Sequence, residues 1–405
     1  MKFESDAEIG EKVLFFNGLT KEIIIMLFHM PARLYFGSGE IVNLKSIVDD
    51  YLKAYNPALI TDKGIVASGL LEKVVSQFPG IKIFDEIEAN PKSATINKLA
   101  EKIREIGVDL IIGLGGGSPL DAGKALALLA TNDGNIEAYE GKEKYRNDPL
   151  PFLAIPTTCG TGSEVTWVSV ITDVNRKFKM SIKGPKMYPA ASIVDPDLLK
   201  TLPPSIIAST GLDALTHAVE AYLSKPATLI TDTHAIKAVK LILGSIEGAY
   251  FNIENNRTDR ENLMFGSTVA GFAFGNSDVT AVHCISESIG ALYDIPHGVA
   301  NSIFLPHVLA YNLPSCFEKM ADLARQVGIT QTDDMEASNA FIQLIADLSN
   351  KLGIPLFKDL KIGTDQFEKI AEMSLENNST PSNPRALGKK DYLNILNNAY
   401  EKKIK

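Results

Sequence analysis

Between Arg33 and Asp197 the chain alternates short apolar runs, rich in β-branched and aromatic residues, with longer stretches of helical periodicity. Few folds accept that pattern. The apolar runs are RLYF from Arg33, ALITD from Ala58, IKIFDEI from Ile81, DLIIGLG from Asp109, PFLAIPTT from Pro151 and ASIVDPD from Ala191. Helical stretches such as KSATINKLAEKIREIG, from Lys92, separate them. Strand–helix alternation predicts a mostly parallel sheet covered on both faces, with ligands bound at the carboxyl ends of its strands. Beyond Leu199 the pattern changes. Pro203 and Pro204 interrupt the chain, and helical periodicity then runs to the C-terminus with no further convincing strand. The expected organisation is an α/β domain over residues 30–205, an all-helical domain over 206–405 and an extension over 1–29. At 405 residues and 45% hydrophobic, the chain can bury the cores that two domains need.

Two loops at expected strand ends carry unusual composition. In GLGGGSPLDAGK, from Gly113, a strongly apolar strand meets four glycines within five residues and then a helix. Glycines let a backbone approach a phosphate closely, and a helix amino end offers free N–H groups. The dinucleotide fingerprint GxGxxG fails at Ser118, and the ATPase loop fails at Ser118 and Ala125. Taken alone, a tight turn and a phosphate cradle explain this loop equally well. Asp121 reads as a second-turn helix residue. The second loop, PTTCGTGSEVTW from Pro156, is dominated by hydroxyls and backbone amides, which suit ribose, phosphate and carboxamide oxygens. Cys159 within it has no neighbouring histidine and reads as a small buried thiol. Asp62 ends an earlier strand, where an acid can bond the adenosine ribose; the competing role is the N-cap of the following helix.

The helical half holds a different chemistry. Asp213 and His217 lie four apart in a helical stretch, so they leave one face about one turn apart. Of the six histidines, His283 and His297 stand downstream and complete a set of three nitrogens and one oxygen. That set suits zinc or ferrous iron with room for a substrate oxygen. His234 and His307 read as structural, and His29 belongs to the extension. The formal charge of −9 and pI near 5.3 argue against a nucleic-acid or anionic-membrane partner. Three scattered cysteines fit a reducing cytoplasm. The apolar run Ile23–Met30 is too short to span a bilayer, and the acidic residues before it spoil a signal peptide. The extension is expected to pack on the body or on a partner subunit.

The motifs MPARLYFGSG, GGGSPLDAGK, PTTCGTGSEVT, GLDALTHAVEAY and YDIPHGVAN, in that order, make the chain resemble the iron-containing (group III) alcohol dehydrogenases from about Met30 to the C-terminus. The resemblance implies a Rossmann-like α/β domain plus an all-α domain, an architecture shared with the dehydroquinate synthases. It implies Fe2+ or Zn2+ held by Asp213, His217, His283 and His297. It sets Gly115, Gly116, Gly117, Ser118 and Pro119 against a pyrophosphate, brings Thr157, Thr158, Thr161 and Ser163 to the dinucleotide, and puts Asn90 near the cofactor. It favours the ribose role for Asp62, and hence NAD over NADP. A homo-oligomer, dimer or higher, is implied as well. Asn383 resembles a segment bordering the substrate pocket. The chain departs from the family at Glu287, where a second histidine is common, and at Trp167 and Val168, where polar groups often face the nicotinamide.

The expected function is hydride transfer between a nicotinamide and a metal-bound primary alcohol, diol or aldehyde. Glu287, one turn beyond His283, is expected to point to the cleft and face the nicotinamide. A dehydroquinate synthase-like lyase is the rival, but residues 205–300 lack the clustered Lys and Arg that a phosphorylated substrate wants. A non-catalytic scaffold gives no reason for metal ligands and a phosphate loop in one chain.

Overall fold

The computed structural model describes residues 27–404, together with the backbone of a two-stranded antiparallel hairpin at Leu14–Phe16 and Leu19–Lys21. The expectation that residues 1–26 pack on the body or on a partner lies outside the described side chains. Of the extension's last residues, Phe28 stacks on His234 at 5.3 Å, and the His29 carbonyl accepts from the Tyr188 hydroxyl at 2.7 Å.

All six expected strands form: β1 Arg33–Phe36, β2 Pro57–Ile60, β3 Lys82–Phe84, β4 Leu110–Gly115, β6 Phe152–Pro156 and β9 Ala191–Val194. They make one parallel sheet in the order β1-β9-β6-β4-β2-β3. β4 shows why this sheet is covered on both sides. Ile111 enters one apolar cluster while Leu110, Ile112 and Leu114 enter the other, so alternate side chains feed opposite faces. The helices α1 Ser93–Ile106 and α2 Gly117–Leu129 pack on the Ile111 side.

Three strands escape the sequence reading. β5 Gly141–Lys142, β7 Val168–Asp173 and β8 Phe178–Lys183 form a separate small sheet, with β7 and β8 an antiparallel hairpin. Its turn is closed by Asp173, whose carboxylate accepts from the backbone N–H groups of Asn175 and Arg176. Met180 and Ile182 face the core on one side, while Lys179, Ser181 and Lys183 face a cleft on the other.

From Pro204 the chain is helical: α3 Pro204–Leu223, α4 Leu229–Asn252, α5 Arg257–Phe274, α6 Ala281–Tyr293, α7 His297–Gln326, α8 Asp334–Lys351, α9 Phe367–Glu376 and α10 Lys389–Tyr400. Pro204 occupies the first turn of α3, where its missing N–H costs nothing. These helices share a third apolar cluster. Among the described residues, no helix is long and apolar enough to cross a membrane.

Candidate metal and cofactor site

The sheet and the helices meet at a cleft of about 320 Å³. On the sheet side its wall takes Gly117, Ser118, Asp121, Thr161 and Ser163. β4 ends at Gly115, whose φ of +150° a side chain rarely adopts, and a Cβ there would lie 2.5 Å from the Pro119 ring. The chain then turns directly into α2. A Cβ on Gly117 would meet Thr161 Cγ2 at 2.6 Å, so the glycine lets the second loop close over the amino end of α2. Gly117, Ser118, Thr161 and Ser163 thus reach the cleft wall. Gly115, Gly116 and Pro119 build the turn, Thr157 N–H bonds the Gly115 carbonyl at 2.9 Å, and Thr158 packs against Gly116.

Lys124 locks the two loops together. Fully buried, its ammonium donates to Ser163 Oγ and to the Val168 carbonyl, both at 2.8 Å. Burial lowers its pKa to about 8, against the pull of Asp121 and Glu164. Asp121, on the second turn of α2, accepts from Ser163 Oγ at 2.7 Å and from Val170 N–H at 3.1 Å. Asp62 caps the short helix Lys63–Ser68 by accepting from Ile65 N–H at 2.9 Å. Asn90, with φ of +52°, lines the cleft and donates to Asp294 at 2.9 Å.

On the helical side, Asp213 and His217 of α3, His283 of α6 and His297 at the start of α7 converge. One ligand atom from each lies within 4.8 Å of the others. Asp213, His217 and His283 are buried and His297 is partly so. His217 stacks on Phe274 at 4.2 Å. Burial, then neighbouring positive charge, holds His217 and His297 well below the usual imidazole range, so both are neutral with lone pairs free. Burial pushes the Asp213 carboxyl up. For His283 burial lowers the pKa, but the charge and hydrogen bond of Glu220 together with the charges of Asp213 and Glu287 outweigh it, so its pKa is raised.

Several residues of the site were not anticipated from sequence. Glu220 accepts from His283 Nδ1 at 2.5 Å. Asn301 Nδ2 lies 2.6 Å from Asp213 Oδ1 and 3.1 Å from Nε2 of both His283 and His297. Lys179 lines the cleft, buried, and burial lowers its pKa. Glu220 and Asn301 each follow a histidine ligand at helical spacing, three and four residues on, and that signal was available. Lys179 had none while its strand went unrecognised.

Glu287 lies one turn beyond His283 on α6, lines the cleft and accepts from Asn377 Nδ2 at 2.6 Å. It stands outside the four-residue cluster. Beyond His297 the cleft border is Asn377, Asn378 and Ser379. Asn383 instead lies buried, paired with Asn312. Cys159 is buried against Thr210, and burial raises its pKa to about 11. His234 bonds the Ile230 carbonyl at 2.7 Å and His307 the Lys403 carbonyl at 3.2 Å, both away from the cluster.

Comparison with known proteins agrees with this architecture. Residues 31–196 match the family described as iron-containing alcohol dehydrogenase, and residues 207–400 match that family's C-terminal part. The chain is 40% identical over 352 residues to 1,3-propanediol dehydrogenase of Citrobacter freundii, covering 84% of this chain and 90% of that protein. The crystal structure of a 1,3-propanediol oxidoreductase superposes with a TM-score of 0.89 at 37% identity, over 93% of this chain and all of that one. Sulfoacetaldehyde reductase from Bifidobacterium kashiwanohense, solved in complex with NAD+, superposes with a TM-score of 0.84 at 29% identity, over 93% of this chain and 99% of that one. The chain therefore belongs to the iron-containing alcohol dehydrogenase family, metal- and NAD-dependent oxidoreductases that act on the CH–OH group of alcohols and on the corresponding aldehydes.

Proposed function

We propose that Asp213, His217, His283 and His297 hold one divalent cation, Fe2+ or Zn2+, and that the glycine turn and the threonine-rich loop hold NAD across the same cleft. The observation that carries this reading is that ligand-type side chains from three helices and the amino end of α2 open on one cavity. The donor set fits a cation. One carboxylate joins three imidazoles, and an amide nitrogen, Asn301 Nδ2, lies within hydrogen-bond distance of the carboxylate and of two of the imidazoles, as a positive group among their lone pairs would. A divalent cation held there would supply Lewis-acid polarisation of an alcohol or aldehyde C–O bond, and NAD held across the cleft would supply the hydride chemistry.

The chain's own residues do the rest. Asp213 brings the one negative charge among the four donors, and Glu220 and Asn301 orient His283 and Asp213. The Gly117 and Ser118 amides at the start of α2 offer free N–H groups to the anionic dinucleotide. Trp167, Val168, Phe178 and Phe274 keep the cleft partly dry around the reacting carbon. The names of the relatives direct the substrate towards a short primary alcohol, diol or aldehyde. One Asp62 oxygen caps a helix, and the other would be left to accept from a ribose 2′-hydroxyl of bound NAD, which would favour NAD over NADP. Composition favours a cytoplasmic protein. We also propose a homo-oligomer, and a boundary near residue 205 between cofactor-holding and metal-holding domains.

The test is metal analysis on His217→Ala and His283→Ala. Each is expected to lose metal and turnover together while the circular dichroism spectrum is retained, because one of four ligands is gone. Full activity with unchanged metal in His283→Ala sinks the assignment.

A further inference from the structure

Glu220 has no place in the ligand set, yet it is 2% exposed and makes three hydrogen bonds. It lies three residues after His217 and seven after Asp213, so one face of α3 presents two ligands and then this carboxylate. Its Oε2 accepts from His283 Nδ1 at 2.5 Å. Its Oε1 accepts from Val282 N–H at 2.8 Å and from the Thr280 hydroxyl. These donors belong to the first turn of α6, the helix that carries His283. Neither His217 nor His297 has a carboxylate on its buried Nδ1 as His283 does.

We infer that Glu220 is the positioning residue of the metal centre, holding His283 in the tautomer that turns its Nε2 lone pair to the cation. The inference rests on the metal reading above. A neutral imidazole carries one N–H, and a carboxylate can only accept, so contact with Glu220 keeps the proton on Nδ1 and leaves Nε2 bare. Nε2 is the atom that faces Asn301 and, through it, the focus of the ligand set. The same carboxylate anchors the first turn of α6, which fixes where the imidazole starts from. Orientation and anchoring are joined in one side chain, and its negative charge also strengthens the imidazole as a donor.

Glutamine separates the roles. The site supplies three donors to two carboxylate oxygens, and an amide has only one oxygen. If that oxygen stays with Val282 and Thr280, the NH2 group faces Nδ1 and forces the proton onto Nε2, which blocks ligation. If the oxygen turns to His283, the NH2 group faces the helix donors, and the imidazole loses its charged partner. Either arrangement weakens the metal more than the fold.

The experiment is Zn2+ affinity by chelator competition on the metal-stripped full chain. Glu220→Gln is expected to weaken Zn2+ binding by about 10–100-fold with the dichroism spectrum retained. Thr280→Val, which removes a helix-anchoring donor but leaves the carboxylate on His283, is expected to have a far smaller effect. A folded Glu220→Gln protein with wild-type Zn2+ affinity overturns the inference, and so does Thr280→Val with an equal loss. Should Glu220→Gln fail to fold, 15N spectra of the metal-free wild type decide instead. A His283 protonated at Nδ1 supports the inference, and one protonated at Nε2 overturns it. Metal retained in His283→Ala would refute the ligand set itself, whereas metal lost there but unaffected in Glu220→Gln would refute only the role of Glu220.

Discussion

Glu287 lines the cleft, and its neighbours hold its charge there. Asn377 holds one carboxylate oxygen, and Ser379 N–H in turn pins the Asn377 amide at 3.0 Å, so the side chain has little freedom to swing away. A fixed carboxylate facing the nicotinamide favours the cationic oxidised ring over the neutral reduced one. Glu287→Gln keeps the size and removes the charge. It should weaken NAD+ binding relative to NADH by about 1 kcal/mol, roughly fivefold, with metal content unchanged. Calorimetric titration of both cofactor forms checks this, and an unchanged ratio returns Glu287 to a bystander. Lys124 supports a second prediction. Its folded pKa of about 8 lies below the 10.5 of the free side chain, so the folded state gives up its proton first. Burying the charge therefore costs stability below about pH 8, and the cost fades as pH rises towards 10.5. Against Lys124→Met, the wild type should gain about 2 kcal/mol between about pH 7.5 and 9.5 in denaturant unfolding. The cleft-facing position of Glu287 was legible from its four-residue spacing after His283. The burial of Lys124 was not, because a lysine on a helix reads by default as solvated.

The β7–β8 hairpin is the element that sequence reading lost, for a physical reason. A strand is recognised when one face is apolar and the other polar by way of solvent, between clear turn signals. Here the second face lines a cleft and carries Lys179, Ser181 and Lys183, and the preceding loop already reads as irregular. In the main sheet, β2, β4, β6 and β9 were legible because both their faces are buried over most of the strand, which leaves near-unbroken apolar runs. The edge strands β1 and β3 are largely exposed and were legible from their β-branched and aromatic residues alone. At the junction of β4 and α2, Gly117 decides how closely the two loops approach. Gly117→Val places branched carbon where Thr161 Cγ2 now lies, at 2.6 Å from the nearest possible Cβ. The second loop must move away from the amino end of α2. NADH affinity is expected to fall by at least about tenfold, the order of a lost cluster of charge-assisted backbone contacts. The melting temperature should shift little, since the contact sits at the cleft wall. Wild-type NADH affinity in Gly117→Val would remove this turn from the cofactor site.

In the whole molecule, ligand-type side chains from α3, α6 and α7 meet at one point, so a cation bound there would cross-link helices distant in the chain. Binding to the folded state alone stabilises it by about 2.7 kcal/mol when free metal is 100 times Kd. Removing metal with a chelator should therefore lower the melting temperature, and Zn2+ should restore it. His283→Ala should show no such response, and a chelator effect of equal size in that variant would contradict the site. The sequence by itself determined the α/β-then-helical order, the strands of the main sheet and the face shared by Asp213 and His217. Periodicity is local, and these features depend on residues a few positions apart. Only the tertiary structure decided that His283 meets Glu220, that Asn301 sits among the ligands, that Lys179 reaches the same cleft from a strand, and that Asn383 stays out of it. The Glu220–His283 and Asn301–Asp213 contacts join residues 63 and 88 positions apart and depend on how whole helices cross, and the reach of Lys179 depends on where a hairpin folds back; no local pattern specifies either.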